Sequence, residues 1–311
     1  MHAMAPSRED MADLRRSAEA LSNFPHALDM EYLVDVARQA GAAIMEVYGE
    51  STEDWDVQTK GDESPVTKAD LKANAVICDA LTAKFPSVAI TSEENKKVPW
   101  EERKSYVYSW NIDPLDGTKE FIKRNGQFAT NIALLKGQEA VVGLVQIPVT
   151  GQTYWAAKGL GAYVRSSDDA ETKLECKEFD ESDKGLTIIV SRRHRSQESE
   201  DFVKRYDDPK FIQMGSSLKF TRIAENAAHV YPRMAPTCEW DTAAPHVIVT
   251  EAGGEVLQCG VCDADGVLQE PWEEALARQN PVVYNKENDL NPFFVAYGKR
   301  TRKNKEGANQ A

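Results

Sequence analysis

The chain has 311 residues, with 37 basic against 50 acidic side chains for a net charge of −13, and 41% of it is hydrophobic. It can therefore bury a real core, and its length points to two packed layers or subdomains rather than a disordered chain. The acidic balance excludes a general nucleic-acid or membrane-surface binder, which would carry a basic face, and no apolar run approaches the ~20 residues of a membrane helix.

Residues 1–28 are polar and weakly periodic and read as an extension. From Asp29 a helix is predicted, with Leu33, Val36, Ala37, Ala40, Ile44 and Val47 on one apolar stripe. The polar stretch Glu50–Ser64 reads as a mobile loop. Thr67 opens a second helix, with Leu71, Cys78, Leu81 and Phe85 inward, ending before Pro86. Strand signals follow at Val88–Thr91, Tyr106–Ile112, Phe128–Leu135, Ala140–Ile147 and Thr153–Ala157. They lie close together without long helices between them, so a largely antiparallel sheet is predicted.

The second half alternates. Leu186–Val190 reads as a strand, Gln197–Tyr206 as a helix, Phe211–Gln213 as a strand and Leu218–Ala228 as a helix. A strand before Pro232 and a helix over Thr242–Glu251 follow, the latter ended by Gly253-Gly254. The boundary falls in Ser166–Lys184, giving an expected division of 1–28 extension, 29–175 antiparallel-sheet subdomain, 176–298 α/β subdomain and 299–311 basic tail. The tail reads as a solvated terminus.

Five cysteines, an odd number, do not suggest a disulfide framework. Cys259-Gly-Val-Cys262 lacks a second pair at zinc-finger spacing and reads as two ordinary thiols, with a redox switch or metal clip as the rival. Residues 1–20 mix acids with arginines and lack the apolar core of a secretory signal. A cytoplasmic setting is expected, with an organellar leader in residues 1–28 left open.

The segment Trp110-Asn-Ile-Asp113-Pro-Leu-Asp116-Gly-Thr118 carries chemistry. An apolar strand delivers two carboxylates, Pro114 keeps Asp113 extended and Gly117 permits a tight turn. Two carboxylates pinned at a strand end suit a hard divalent cation, Mg²⁺ above all beside phosphate; alone, the segment fits equally a turn with solvated Asp side chains. Ser92-Glu93-Glu94 also leaves a strand end. Glu239-Trp240-Asp241 begins a helix with Asp241 placed to cap it. Thr67-x-x-Asp70 resembles a capping box with Asp in place of Glu. Singly these are structural residues; together they look like a site.

The ordered set Thr67-Lys-Ala-Asp70, Ser92-Glu93-Glu94, Asp113-Pro-Leu-Asp116-Gly-Thr118 and Trp240-Asp241-Thr-Ala-Ala resembles the inositol monophosphatase superfamily of magnesium-dependent, lithium-sensitive phosphatases. Asp62-Glu-Ser-Pro-Val-Thr67, Gly215-Ser-Ser-Leu-Lys219-Phe and Tyr231-Pro-Arg233 resemble its CysQ-type 3′(2′),5′-bisphosphate nucleotidase branch. The likeness covers about residues 30–296. It implies an α/β fold, a layered α-β-α-β-α sandwich of the sugar-phosphatase type with two subdomains. By motif position Glu93, Asp113, Asp116, Asp241 and the Leu115 carbonyl would hold two or three Mg²⁺ ions. Asp70, Thr118 and Glu93 would be catalytic, with Thr118 and Asp70 orienting and deprotonating a water. Gly117, Thr118, His194, Gly215, Ser216, Lys219, Arg233 and Asp241 would bind substrate. Exposed N–H groups of Gly215-Ser216-Ser217 would favour an anion, and Lys219 would reach the other phosphate. Pro245 is expected in the first turn of the Asp241 helix.

The resemblance implies hydrolysis of adenosine 3′,5′-bisphosphate, or of its sulfated analogue, to AMP and phosphate, clearing a by-product of sulfate activation. The partner is then a small phosphate ester, a 3′-phosphoadenosine nucleotide, with no nucleic acid or membrane, and a monomer is expected. The rivals are a phosphatase of inositol monophosphate or inositol 1,4-bisphosphate, and a non-catalytic nucleotide sensor.

Overall fold

The computed structural model describes residues 21, 23–61, 64–190, 196–263 and 267–301. Helix α1 (Met30–Tyr48) starts where the Tyr32 N–H donates to the Asp29 carboxylate at 3.1 Å, which satisfies one of the helix's first donors. Its predicted apolar stripe is buried throughout.

Helix α2 (Lys68–Lys84) opens on Thr67, as predicted, and Leu81 and Phe85 are buried as expected, but Leu71 does not face inward. Leu71 is 48% exposed, while Ala69, Ala73, Ile77 and Leu81 are buried. That row, spaced by four, is small at its first two positions and lets α2 lie close against α1; Leu71 sits on the opposite side.

The polar stretch after α1 is more ordered than a loop. It contains a 3₁₀ turn at Thr52–Trp55 and a short hairpin pairing Gln58–Thr59 with Pro65–Val66. Trp55 is fully buried and packs on Tyr48 and on Phe121 at a ring separation of 4.7 Å. One aromatic in an acidic stretch is thus enough to pin the segment.

Strands β1 (Ala89–Ser92), β2 (Tyr108–Asp116), β3 (Ala129–Lys136), β4 (Glu139–Ile147), β5 (Gln152–Ala157), β6 (Gly161–Arg165) and β7 (Glu171–Leu174) form one sheet in sequence order. Only the β1–β2 pair is parallel. β6 and β7 were not predicted; β7 lies in the polar boundary stretch because an edge strand keeps part of its surface in water. A second, mixed sheet has strands β8 (Thr187–Val190), β9 (Lys210–Gln213), β10 (Val230–Arg233), β11 (Glu255–Gln258) and β12 (Phe294–Tyr297) in the order β9-β8-β10-β12-β11.

Three cores stack these elements. The first joins α1 and α2 to one face of the large sheet through Trp110, Ile112, Ile132 and Leu134. The second lies between the other face, with Ala129, Ala133 and Val145, and the second sheet, and is filled by helices α4 (Leu218–Ala224) and α5 (Glu239–Glu251); a short helix α3 (Thr118–Ile122) follows β2. The third covers the far side of the second sheet with helices Gln197–Val203 and Trp272–Ala277. The succession α-β-α-β-α is the predicted sandwich.

Both ends of the described chain are held. Leu21 and Phe24 are buried, and the Phe24 ring lies 5.1 Å from Tyr108. The basic stretch expected to be solvated from Lys299 begins instead as a strand, Lys299–Arg300, parallel to Glu178–Phe179. Arg300 is fixed by Glu255 at 2.8 Å and Glu181 at 3.1 Å.

Helix α5 lies so close on β4 that a Cβ at Gly143 would overlap the Ala244 carbonyl oxygen. Gly143→Ala must push α5 off the sheet, at a cost of roughly 1–3 kcal/mol for overpacking. A lower melting temperature is the expected outcome, and an unchanged one would show that the helix has slack there.

Candidate active site

In a regular strand residues three apart point to opposite faces. On β2, Asp113 pairs with Asn131 but Asp116 pairs with Ala129, so three steps on β2 oppose two on β3. This one-residue bulge at Pro114-Leu115 changes the parity and turns both carboxylates to the face covered by α5. The bulge is pinned: Thr130 Oγ1 donates to the Pro114 carbonyl at 2.9 Å, and the Leu115 N–H donates to Asp113 Oδ1 at 3.0 Å. Gly117 ends the strand at φ 98°, where a Cβ would press on the Gln127 carbonyl oxygen at 3.0 Å.

Asp241 comes from α5, but not as its cap. The helix begins at Glu239, three residues before the predicted start, with Cys238 as N-cap residue. Asp241 is the third helical residue, and its Oδ2 accepts the Cys238 N–H at 2.9 Å. Pro245 accordingly lies in the second turn, not the first, and cannot donate to the carbonyl of Asp241 four residues back. The start of α5 is braced from outside: buried Glu239 accepts the N–H groups of Asn285 at 2.7 Å and Lys286 at 3.0 Å.

Carboxylate oxygens of Asp113, Asp116 and Asp241 all lie within 4.8 Å of one another. Burial, then the charges of Glu93, Asp116 and Asp241, hold the Asp113 carboxyl well above the usual range. Burial, then Asp116 and Glu93, push Asp241 up to about 7. Such crowding is unfavourable without a cation. The donors are all hard oxygens, which fits Mg²⁺ rather than a soft metal.

The Thr118 hydroxyl sits 3.0 Å from Asp70 Oδ1 and 3.3 Å from the Leu115 carbonyl oxygen. Asp70 is fixed from its other side, its Oδ2 accepting the Thr67 N–H at 2.8 Å and hydroxyl at 2.6 Å. The capping box read from the sequence is therefore present, and the same carboxylate also serves Thr118. Burial pushes the Asp70 carboxyl up to about 6 against the lowering effect of these hydrogen bonds.

Glu93 leaves the end of β1 and acts on both Asp113 and Asp241 by its charge. It is also paired with a residue read only as loop: the Lys60 ammonium lies 2.8 Å from Glu93 and 2.6 Å from Glu94. Burial alone would lower the Lys60 pKa, yet hydrogen bonds and charge from the two glutamates raise it. The signal was an isolated Lys-Gly beside the Ser-Pro-Val-Thr motif.

The second half contributes differently from the expectation. Ser216 Oγ donates to Asp116 at 2.8 Å, and the Ser217 N–H donates to the same oxygen. The Gly215 N–H donates to Gln127 Oε1 at 2.9 Å, so two of the N–H groups expected to meet an anion are engaged within the protein. Lys219 is buried, 2.9 Å from the Ser216 carbonyl oxygen and over the Tyr231 ring. Arg233 acts on Asp241 by its charge and donates to the Pro236 carbonyl at 3.1 Å. His194 lies outside the described residues. Gln127 and Asn131, the latter accepting the Ser217 hydroxyl at 2.8 Å, were missed because single amides carry no pattern. Cys259 is buried with its sulfur 3.2 Å from Met234 Sδ, and both it and Cys262 are free thiols.

The crowding has a measurable consequence. In the metal-free fold Asp241 keeps its proton up to about 7 against an ordinary value of 3.8, so between these values the native state binds more protons than the unfolded state. Stability contributed by this group therefore falls as pH rises through that window. Asp241→Asn lacks this loss, and the metal-free variant is expected to gain on wild type from pH 4 to 7. Added Mg²⁺ should raise the wild-type melting temperature and raise that of the variant far less. Equal shifts in both proteins would remove Asp241 from the metal site.

The inositol monophosphatase family profile matches residues 29–294. The 3′(2′),5′-bisphosphate nucleotidase CysQ of Escherichia coli K12 is 40% identical over 231 residues, 73% of this chain and 89% of its own. That of Aggregatibacter actinomycetemcomitans is 34% identical over 268 residues, 86% of this chain and 91% of its own. The crystal structure of CysQ from Bacteroides thetaiotaomicron, 33% identical, superimposes with a TM-score of 0.69 over 88% of this chain and 98% of that one. The chain belongs to the inositol monophosphatase family.

Proposed function

We propose that this protein is a Mg²⁺-dependent 3′(2′),5′-bisphosphate nucleotidase that hydrolyses adenosine 3′,5′-bisphosphate to AMP and phosphate. The observation that carries the reading is the Thr118 hydroxyl, within hydrogen-bonding distance of both Asp70 and the Leu115 carbonyl at the edge of the carboxylate cluster. The choice of nucleotide over inositol phosphate is supported by the relatives, which are named as bisphosphate nucleotidases.

Asp113, Asp116, Asp241, Glu93 and the Leu115 carbonyl would hold two or three Mg²⁺ ions. Bound there, Mg²⁺ acidifies water and neutralises phosphate charge. Thr118 orients the attacking water by accepting its proton while passing its own to Asp70. A threonine hydroxyl is too weak a base alone, and Asp70, pushed up to about 6, is tuned to receive a proton near neutrality. Asp70 is locked by Thr67, so Thr118 meets a fixed acceptor. Ser216 and the Ser217 N–H hold Asp116 in one orientation. Gly117, Thr118, Gly215, Ser216, Lys219, Arg233, Asp241 and His194 remain the proposed substrate contacts. Arg233 is the group best suited to a bidentate phosphate contact, and Lys219 and Ser216 act by shaping the wall beside Asp116.

The relay also separates this reading from a non-catalytic sensor, which has no need of Asp70. Thr118→Val keeps the shape and removes the hydroxyl. Its kcat for phosphate release from adenosine 3′,5′-bisphosphate should fall roughly 10²–10⁴-fold, and Asp116→Asn should abolish turnover. Phosphate release is expected to need Mg²⁺ and to be slower on inositol 1-phosphate and inositol 1,4-bisphosphate. A preference for either inositol ester would assign the site to the rival phosphatase activity. Nucleotide binding without any phosphate release would assign it to the sensor.

A further inference from the structure

Asp70, Asn74 and Cys78 stand one turn apart along α2, in a row beside the buried Ala69, Ala73 and Ile77. Asp70 receives the Thr118 hydroxyl, but Asn74 has no part in the chemistry described so far. Its Oδ1 accepts the Ser92 hydroxyl at 2.7 Å, and its Nδ2 donates to Asn95 Oδ1 at 2.8 Å. Asn95 in turn donates to Cys78 Sγ at 3.6 Å, and the Cys78 thiol donates to Asn74 Oδ1 at 3.4 Å. One amide thus spends its donor and its acceptor on the same short segment.

That segment is the turn that carries Glu93. The Asn95 N–H donates to the Ser92 carbonyl at 3.1 Å, closing Ser92-Glu93-Glu94-Asn95. The Glu93 N–H donates at 3.1 Å to the carbonyl of Ile112, the residue before Asp113. Asn74 therefore grips the first and last side chains of a turn whose two inner residues are Glu93 and Glu94. Ser92 is buried, so its hydroxyl needs a partner within the protein. The three carboxylates that lie within 4.8 Å of one another do not include Glu93. Its place relative to them is set by how this turn is held between β2 and α2. A ligand fixed in advance loses less freedom when it takes up an ion.

We propose that Asn74 is a positioning residue for Glu93: by bridging Ser92 and Asn95 it holds the turn in the orientation that lets Glu93 ligate a divalent cation. Because Asn74 lies one helical turn from Asp70, the same bridge fixes Glu93 relative to the proton acceptor. The inference rests on the divalent-cation reading of the cluster and adds a residue that is not itself a ligand. Its near-isosteres cannot replace it. Asp would accept from Ser92 but set an oxygen against Asn95 Oδ1, and Leu offers neither donor nor acceptor.

The test is Mn²⁺ binding to the whole protein, followed by the electron paramagnetic resonance signal of the free ion. Glu93→Gln defines which part of the isotherm depends on Glu93. In Asn74→Leu that part should weaken roughly 10–100-fold, the scale of removing a group that orients a metal ligand. Binding that survives Glu93→Gln should keep its wild-type affinity, which a general loosening of the fold would not spare. Ser92→Ala removes the same bond from the other side with a smaller change and should weaken the same ion. The double variant should bind as Asn74→Leu does, because both substitutions break one contact. Melting temperatures without metal show which variants fold, and Ser92→Ala decides the question if Asn74→Leu does not. Wild-type binding in the folded variants, an equal loss for every ion, or a full isotherm in Glu93→Gln would overturn the role of Asn74 and leave the cation site intact. Absence of Mn²⁺ binding to wild type would overturn both.

Discussion

Three carboxylates brought within 4.8 Å of one another at the junction of two cores are the constraint around which the rest of this structure is arranged. Like charges at that separation, half out of water, repel strongly, and nothing in an ordinary fold would gather them. Every local irregularity nearby serves to hold them together: the bulge at Pro114-Leu115, the left-handed Gly117, the serine hydroxyl and N–H that fix Asp116, and the braced start of α5. The protein gives up stability here that a pair of neutral residues would restore, which is the usual signature of a site kept for function rather than for folding.

The layers explain how two distant segments meet. The apolar residues of β2, Trp110 and Ile112, point into the first core, so the intervening positions of the pleat face the helices of the second. Extending that alternation through one bulge carries Asp113 and then Asp116 to α5. The close seat of α5 over Gly143 sets the height of Asp241 above them. Packing, capping and chemistry therefore share atoms. Asp70 closes a helix N-terminus and receives the Thr118 hydroxyl with the same carboxylate, and Asp241 secures the start of α5 while facing the cluster.

Much of this was legible in the sequence. The α1 stripe, the central strands and the layered sandwich follow from periodicities of 3.6 and 2 and from the motif order. The acidic cluster was readable because aspartates and glutamates recur at strand and helix ends. The failures have physical causes. Leu71 was assigned inward on hydrophobicity, whereas small Ala69 and Ala73 determine which face of α2 can approach α1. The stretch around Trp55 was judged by its polarity, and a single buried indole outweighs that. Asp241 was read as a cap, but it stands at the third helical position and its carboxylate reaches back to the N–H of Cys238, the N-cap residue. Lys60 had only a weak Lys-Gly signal, and Gln127 and Asn131 had none; the three matter through partners 33, 88 and 86 positions away in the chain.

The Lys60 ammonium sits against Glu93 and Glu94 and places a positive charge beside the acids. The central claim is that these carboxylates form a divalent-cation site. A crystal structure of the protein grown with Mn²⁺ in place of Mg²⁺ tests it most directly through anomalous scattering. The account predicts a peak among Asp113, Asp116 and Asp241, within coordination distance of the Leu115 carbonyl. An empty cluster at saturating Mn²⁺, with Asp113 and Asp241 unmoved, would contradict it.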